Sequence, residues 1–243
     1  MEFTIKQVNG RVSVIAGTGS NCTSEAIRAT EFAKSAGADG VLLVNPYYNK
    51  PTQKGLYLHF KAIADAVDIP CIVYNIKGRT AVNVETDTLV KLVSDCKNII
   101  GVKEASGDLD QMKEVIAKVA NVRPDFSVLS GDDGITLDLI EAGGDGVVSV
   151  ASNIVPKRMT KMISLALDKE NEGARKKEKE LNELFDVEFV ETNPIPIKTA
   201  LSMMNRCEEV FRLPMCTLQN EENREKIKKV ITELGLLGDS NEV

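Results

Sequence analysis

The chain has 243 residues, 43% hydrophobic and 27% charged, which excludes a disordered polymer and suits one α/β barrel or two small domains. Its formal net charge of −6 argues against nucleic acid as the main partner. Residues 1–6 lack a signal-peptide core, no apolar run reaches a membrane span, and the five cysteines are scattered without a CxxC pair. Reduced thiols and a cytoplasmic location are expected. His59 is the one histidine, so a His-rich metal site is excluded and any Ser-His-Asp triad would have to use it.

Taken in chain order, residues 1–10 read as the end of a helix leading into a first strand. Short apolar runs predict strands over 12–16, 40–44, 71–74, 99–103, 126–129 and 146–150. Between them, apolar residues at three- and four-residue spacing predict helices over 23–36, 53–67, 85–93, 109–119 and 135–142. Such alternation means parallel βα units with right-handed crossovers. Ala-Gly-Ala-Asp-Gly (36–40) and Ala-Gly-Gly-Asp-Gly (142–146) are the same helix-to-strand turn used twice, which favours repeated barrel units over a doubly wound sheet. From about Ser152 the pattern turns helical, with a charge-rich solvated helix over 168–185, further helices over 194–204 and 220–236, and a frayed tail at 238–243. Six strands are found where a closed TIM barrel has eight. The expected fold is therefore an α/β, TIM (β/α)8-type barrel with six of its eight strands and a carboxyl-terminal helical section. Residues 1–151 would form the partial barrel, and 152–243 the final barrel helix and the helical section.

Chemistry points first to Lys103, which would emerge at the carboxyl end of a buried strand, where α/β folds assemble active sites. A lysine desolvated there loses its charge more easily, and its free amine can attack a carbonyl carbon. The loop Asn45-Pro46-Tyr47-Tyr48-Asn49-Lys50-Pro51 follows a strand, Tyr74 ends the next one, and Gly78-Arg79-Thr80 comes shortly after. Strand-end phenols can pass protons and an arginine can clamp a carboxylate. Alone, each is more often a packed or solvated side chain; together they could converge on one pocket.

These segments resemble the dihydrodipicolinate synthase family, within the pyruvate-dependent class I aldolases that include N-acetylneuraminate lyase. The matching stretches are 14–21, 45–51 with Gly55-Leu56-Tyr57, Tyr74-Asn75 with Gly78-Arg79-Thr80, and Gly101-Val102-Lys103-Glu104-Ala105. They continue through 129–133, 146–150, 193–198 and Arg212-Leu213-Pro214-Met215, so the resemblance spans essentially the whole chain. It implies that Lys103 forms a Schiff base with pyruvate, that Tyr74 transfers protons beside it, and that Tyr48 completes a relay by reaching into a neighbouring subunit. Arg79 would hold the carboxylate of aspartate semialdehyde, and the Gly78-Arg79-Thr80 sequence favours the synthase over the lyase branch. Gly131 and Val148 would line the pyruvate pocket with backbone groups, and Asn21, Glu25 and Tyr47 match part of a lysine-feedback site. The implied reaction belongs to lysine and diaminopimelate biosynthesis and uses neither metal nor organic cofactor.

Three departures qualify the resemblance. Lys77 stands where the family has proline, and Thr192 where a proline or serine often precedes Asn193-Pro194; both only loosen turns. The third is larger: the family's Gly-Thr-Thr-Gly-Glu segment, whose threonine links the two relay tyrosines, does not occur in the sequence. The reading is of a family member cut at its amino end. The expected function is condensation of pyruvate with aspartate semialdehyde by a homo-oligomer, with activity lowered by the absent units and assembly abnormal. The alternative is a non-catalytic homologue acting as partner or regulatory subunit of a full-length synthase. A phosphate cradle at Gly17-Thr18-Gly19 is a weaker third reading.

Overall fold

A computed structural model describes residues 1–238; of the tail expected at 238–243, residues 239–243 lie outside the described residues. The chain divides into two compact units, the first comprising Met1–Gly131 with Ala142–Asp145 and the second Asp132–Glu141 with Gly146 onward.

In the first unit the elements run α1 (Glu2–Val8), β1 (Ile15–Gly17), α2 (Thr23–Ser35), β2 (Gly40–Val44), α3 (Gln53–Ala66) and β3 (Cys71–Asn75). A single turn α4 (Lys77–Thr80) leads to α5 (Thr86–Asp95), β4 (Ile99–Glu104), α6 (Leu109–Ala120) and β5 (Ser127–Ser130). β1 to β5 pair in parallel, each with the next, as βα units require. The helices start where the sequence caps them: the Thr52 hydroxyl accepts from the Gly55 amide at 3.3 Å, and the Asp108 carboxylate from the Gln111 amide at 3.0 Å. Leu56, Phe60 and Ile63 then bury one stripe of α3, and Met112, Val115 and Val119 one stripe of α6. Period-two alternation sends Val41, Leu43, Cys71 and Val73 into full burial, while Leu42, Val44, Ile72 and Tyr74 occupy the half-exposed opposite face. Gly37 and Gly143 both take positive φ, 90° and 105°, so the repeated turn is built by glycine as its sequence implied. The first strand is shorter than the predicted 12–16. Val12 is 66% exposed, and the Val14 amide donates to the Asp39 carboxylate at 2.7 Å, a side chain taking a donor that a longer strand would have offered to a ladder.

The second unit holds α7 (Thr136–Glu141), entered through a 3-10 turn at Asp133–Ile135, then β6 (Gly146–Val147), α8 (Pro156–Leu167), α9 (Asn171–Val187), α10 (Ile195–Met203) and α11 (Glu221–Glu233). β6 stops at Val147 instead of the predicted Val150 for a local reason. The Asp133 Oδ2 atom accepts the Val150 and Ala151 amides at 2.8 and 2.9 Å, so a side chain takes donors that a longer strand would have offered to a ladder. Met159, Met162 and Leu165 of α8, Leu181, Leu184 and Phe185 of α9, and Ile227, Val230 and Ile231 of α11 form one apolar core. The charged face of α9 is anchored by Arg175, whose guanidinium donates to Glu141 at 2.9 Å and Glu178 at 3.1 Å. The five strands of the first unit succeed one another in sheet order as in chain order, the array expected of a barrel of βα units.

Candidate active site

The strand ends of the first unit supply the candidate chemistry. Parallel register places Tyr74 of β3 opposite Lys103 of β4, on the half-exposed face of the sheet. The Lys103 ammonium lies 4.1 Å from the centroid of the Tyr74 ring, so the sequence-predicted pair meets. Burial raises the Tyr74 phenol above its ordinary range, and the Arg79 guanidinium pulls the other way. Arg79 itself is exposed and lies on the turn α4 that directly follows β3. Tyr74 thus remains a protonated donor at neutral pH, next to a lysine and near a guanidinium.

Gly131 closes against the same lysine. Its amide donates to the Glu104 carbonyl at 2.7 Å. A Cβ built there would meet Ala105 Cβ at 2.7 Å and Lys103 Cε at 2.8 Å, distances no real side chain tolerates. Only glycine lets this backbone approach the lysine stem.

Tyr48 is placed differently. It stands 87% exposed with φ 74° on the loop between β2 and α3, held outward and in a strained region for a residue with a side chain. Val148 follows β6 in the second unit and is half-buried. Asn21 and Tyr47 fall on loops of the first unit, and Glu25 in the first turn of α2. The Asn49 amide reaches from the Tyr47 loop to the Asn21 carbonyl at 2.9 Å, and Ser20 donates to the Glu25 carboxylate at 2.9 Å.

The sequence reading passed over a set of polar side chains on the buried face of the same strand ends. Asn45, Asn75 and Glu104 each directly follow the residue that faces the half-exposed side, and all three are 0% exposed. Asn45 Nδ2 donates to Asn75 Oδ1 at 2.9 Å, and Asn75 Nδ2 donates to Glu104 Oε1 at 3.1 Å. The Ser106 hydroxyl donates to Glu104 Oε2 at 2.9 Å. Burial raises the Glu104 carboxyl, and its hydrogen bonds from Asn75 and Ser106 counteract that rise. The signal was present as three polar residues at matching strand ends, inside otherwise apolar periodicity. Among the described residues, no group of three or more His, Cys, Asp and Glu side chains is placed to hold a metal ion.

Comparison with known proteins bears on the family and the fold. The family model described as "Dihydrodipicolinate synthetase family" matches residues 1–234. The 4-hydroxy-tetrahydrodipicolinate synthase of Endomicrobium trichonymphae is 51% identical over 98% of this chain and 80% of its own length. The synthase of that name from Aquifex aeolicus is 48% identical over 97% of this chain and 79% of its own. Among solved structures, dihydrodipicolinate synthase from Aquifex aeolicus superposes with a TM-score of 0.94 at 46% identity, over 98% of this chain and 80% of that one. The Thermotoga maritima synthase gives a TM-score of 0.95 at 42% identity, over 97% and 80%. With parallel strands, a lysine at the end of the fourth and a family match along nearly its whole length, the chain belongs to the dihydrodipicolinate synthetase family.

Proposed function

We propose that Lys103 carries the chemistry of the family in this chain, condensing pyruvate with aspartate semialdehyde in lysine and diaminopimelate biosynthesis. The observation that carries the reading is the Lys103 amine 4.1 Å from the Tyr74 ring at adjoining strand ends. The free amine attacks the pyruvate carbonyl carbon, the resulting carbinolamine loses water, and the imine loses a methyl proton to become an enamine. The enamine carbon then adds to the aldehyde, and hydrolysis returns the lysine. Tyr74, kept as a phenol by burial, suits protonation of the departing hydroxyl.

Arg79 takes the carboxylate of the incoming aldehyde, since an arginine on a solvent-facing turn near the phenol can form a two-point contact there. Gly131 lines the pyruvate side with backbone. Tyr48, exposed on the loop after β2, is suited to a neighbouring subunit of a homo-oligomer, where it would extend the proton relay. Asn21, Glu25 and Tyr47 are the residues proposed to take part in lysine feedback. No helix of the described residues is long and apolar enough to cross a membrane, and a cytoplasmic location accords with the biosynthetic role.

Borohydride reduction in the presence of pyruvate tests the reading. It should leave a carboxyethyl group on Lys103, found by peptide mass mapping, and Lys103→Arg should abolish it. A folded protein that gains no adduct at Lys103 would overturn the assignment.

A further inference from the structure

The catalytic face of β3 and β4 ends in solvent, where strand ends fray unless something holds them. The opposite face supplies the fastening. Asn75 follows Tyr74 and Glu104 follows Lys103, and register sets Asn75 against Glu104 one step beyond the Tyr74–Lys103 pair. Asn75 is nearly saturated: its Oδ1 accepts from Asn45 Nδ2 at 2.9 Å and from the Val84 amide at 3.0 Å, and its Nδ2 donates to Asn83 Oδ1 at 2.9 Å and Glu104 Oε1 at 3.1 Å. Glu104 ends the row with the Ser106 hydroxyl on its other oxygen at 2.9 Å. The backbone continues the same tie, because the Asn75 carbonyl accepts the Ala105 amide at 2.9 Å and the Glu104 carbonyl the Gly131 amide at 2.7 Å. One fully buried carboxyl, bridged through one amide, therefore spans the ends of β2, β3 and β4.

We propose that Glu104 is a positioning residue, which through Asn75 holds the Tyr74 phenol against the Lys103 amine without itself meeting substrate. A carboxyl suits the position because it accepts from two sides at once, from the Asn75 amide and the Ser106 hydroxyl. A leucine of similar volume accepts from neither, so the buried Asn75 amide loses one acceptor and the half-buried Ser106 hydroxyl loses its own. The strand ends then lose their cross-tie while the apolar core beneath them is kept. A displacement of even an ångström at the reacting atoms costs about a hundredfold at most in such chemistry, so about a tenfold loss is the scale to expect.

The proposal rests on the Schiff-base reading of Lys103, and two readouts on the full chain separate the two. One is the rate of borohydride trapping with pyruvate. The other is titration of Tyr74, read as phenolate absorbance lost on adding Tyr74→Phe to each protein. Glu104→Leu should trap about tenfold more slowly and titrate Tyr74 closer to an ordinary phenol, because loosened strand ends admit water. Glu104→Gln, which still accepts from Asn75 and lets Ser106 turn to accept, should recover most of both. Unchanged trapping and an unmoved Tyr74 titration in folded Glu104→Leu would overturn the proposal, as would Glu104→Gln failing as badly as Glu104→Leu. If the unmutated protein forms no adduct, the Schiff-base reading fails, and the Tyr74 titration alone decides the positioning role. Should Glu104→Leu fail to fold, Ser106→Ala takes its place; it must shift the phenol in the same direction, and no shift rejects the proposal.

Discussion

At the scale of single residues, the site is defined as much by what is missing as by what is present. Gly131 offers no side chain to the Lys103 stem, and an added methyl would sit 2.8 Å from Lys103 Cε and 2.7 Å from Ala105 Cβ. Gly131→Ala should therefore rotate the lysine away from Tyr74 and slow pyruvate trapping by about tenfold or more, while far-ultraviolet circular dichroism stays native. Trapping at the unmutated rate would show that the lysine stem has room to yield. The meeting of Lys103 with Tyr74 was legible in the sequence, from their strand-end positions taken together with the family resemblance. Glu104 was not. A glutamate that follows a strand-end lysine reads as the start of a solvated loop, and only tertiary structure shows it buried against Asn75. The role of Tyr48 was read from resemblance alone, and the structure adds that its side chain is 87% exposed.

Elements were legible where local signals agreed and blurred where a side chain intervened. The apolar runs predicted α3 and α6 well, and in the structure Thr52 and Asp108 cap their amino ends. β6 ended early because Asp133 captures the next two amides, a contact that no periodicity encodes. A similar long-range fastening joins α5, β4 and α6 through Arg123. Its guanidinium donates to the carbonyls of Val93 at 2.8 Å, Cys96 at 3.1 Å, Lys97 at 2.9 Å and Ile99 at 2.7 Å. Val93, Cys96 and Lys97 lie at the carboxyl end of α5 and just beyond it, where the helix dipole is negative and orphan acceptors accumulate, and Ile99 opens β4. Arg123→Met keeps the apolar stem and removes all four donors. It should lower unfolding free energy by about 2–3 kcal/mol, since charge-assisted bonds of this kind are worth about that each but add poorly. Urea denaturation measures it, and a midpoint within error of the unmutated protein would mean that water replaces the guanidinium without cost.

For the whole molecule, the two units carry buried titratable groups of opposite sense, and pH should act on each separately. In the first unit His59 of α3 is 6% exposed, its Nδ1 lies 2.9 Å from the Thr23 hydroxyl of α2, and its Nε2 has no partner. Burial lowers its pKa to about 4, so the folded state refuses a proton that the unfolded chain accepts near the ordinary imidazole value. The stability this group contributes is full above about pH 6.5 and is lost as pH falls toward about 4. In the second unit Glu188 is 1% exposed beside Asp133, and both Glu188 oxygens and Asp133 Oδ1 lack a donor. Burial and then the Asp133 charge, with a smaller contribution from Asp132, push Glu188 up to about 9, so the fold retains a proton that the unfolded chain releases. That proton supplies the donor between the carboxyls, and its stabilisation is full below about pH 4.5 and lost as pH rises through about 9. Hydrogen exchange, corrected for the intrinsic rate, should find acid opening α2 and α3 first and alkali opening the Val150 and Ala151 amides that Asp133 holds. Glu188→Gln offers Asp133 Oδ1 a donor at every pH and should preserve those two amides in alkali, while leaving the acid response of α2 and α3 as it was. Equal alkaline exchange in Glu188→Gln and the unmutated protein would show that the carboxyl pair does not set the alkaline limit.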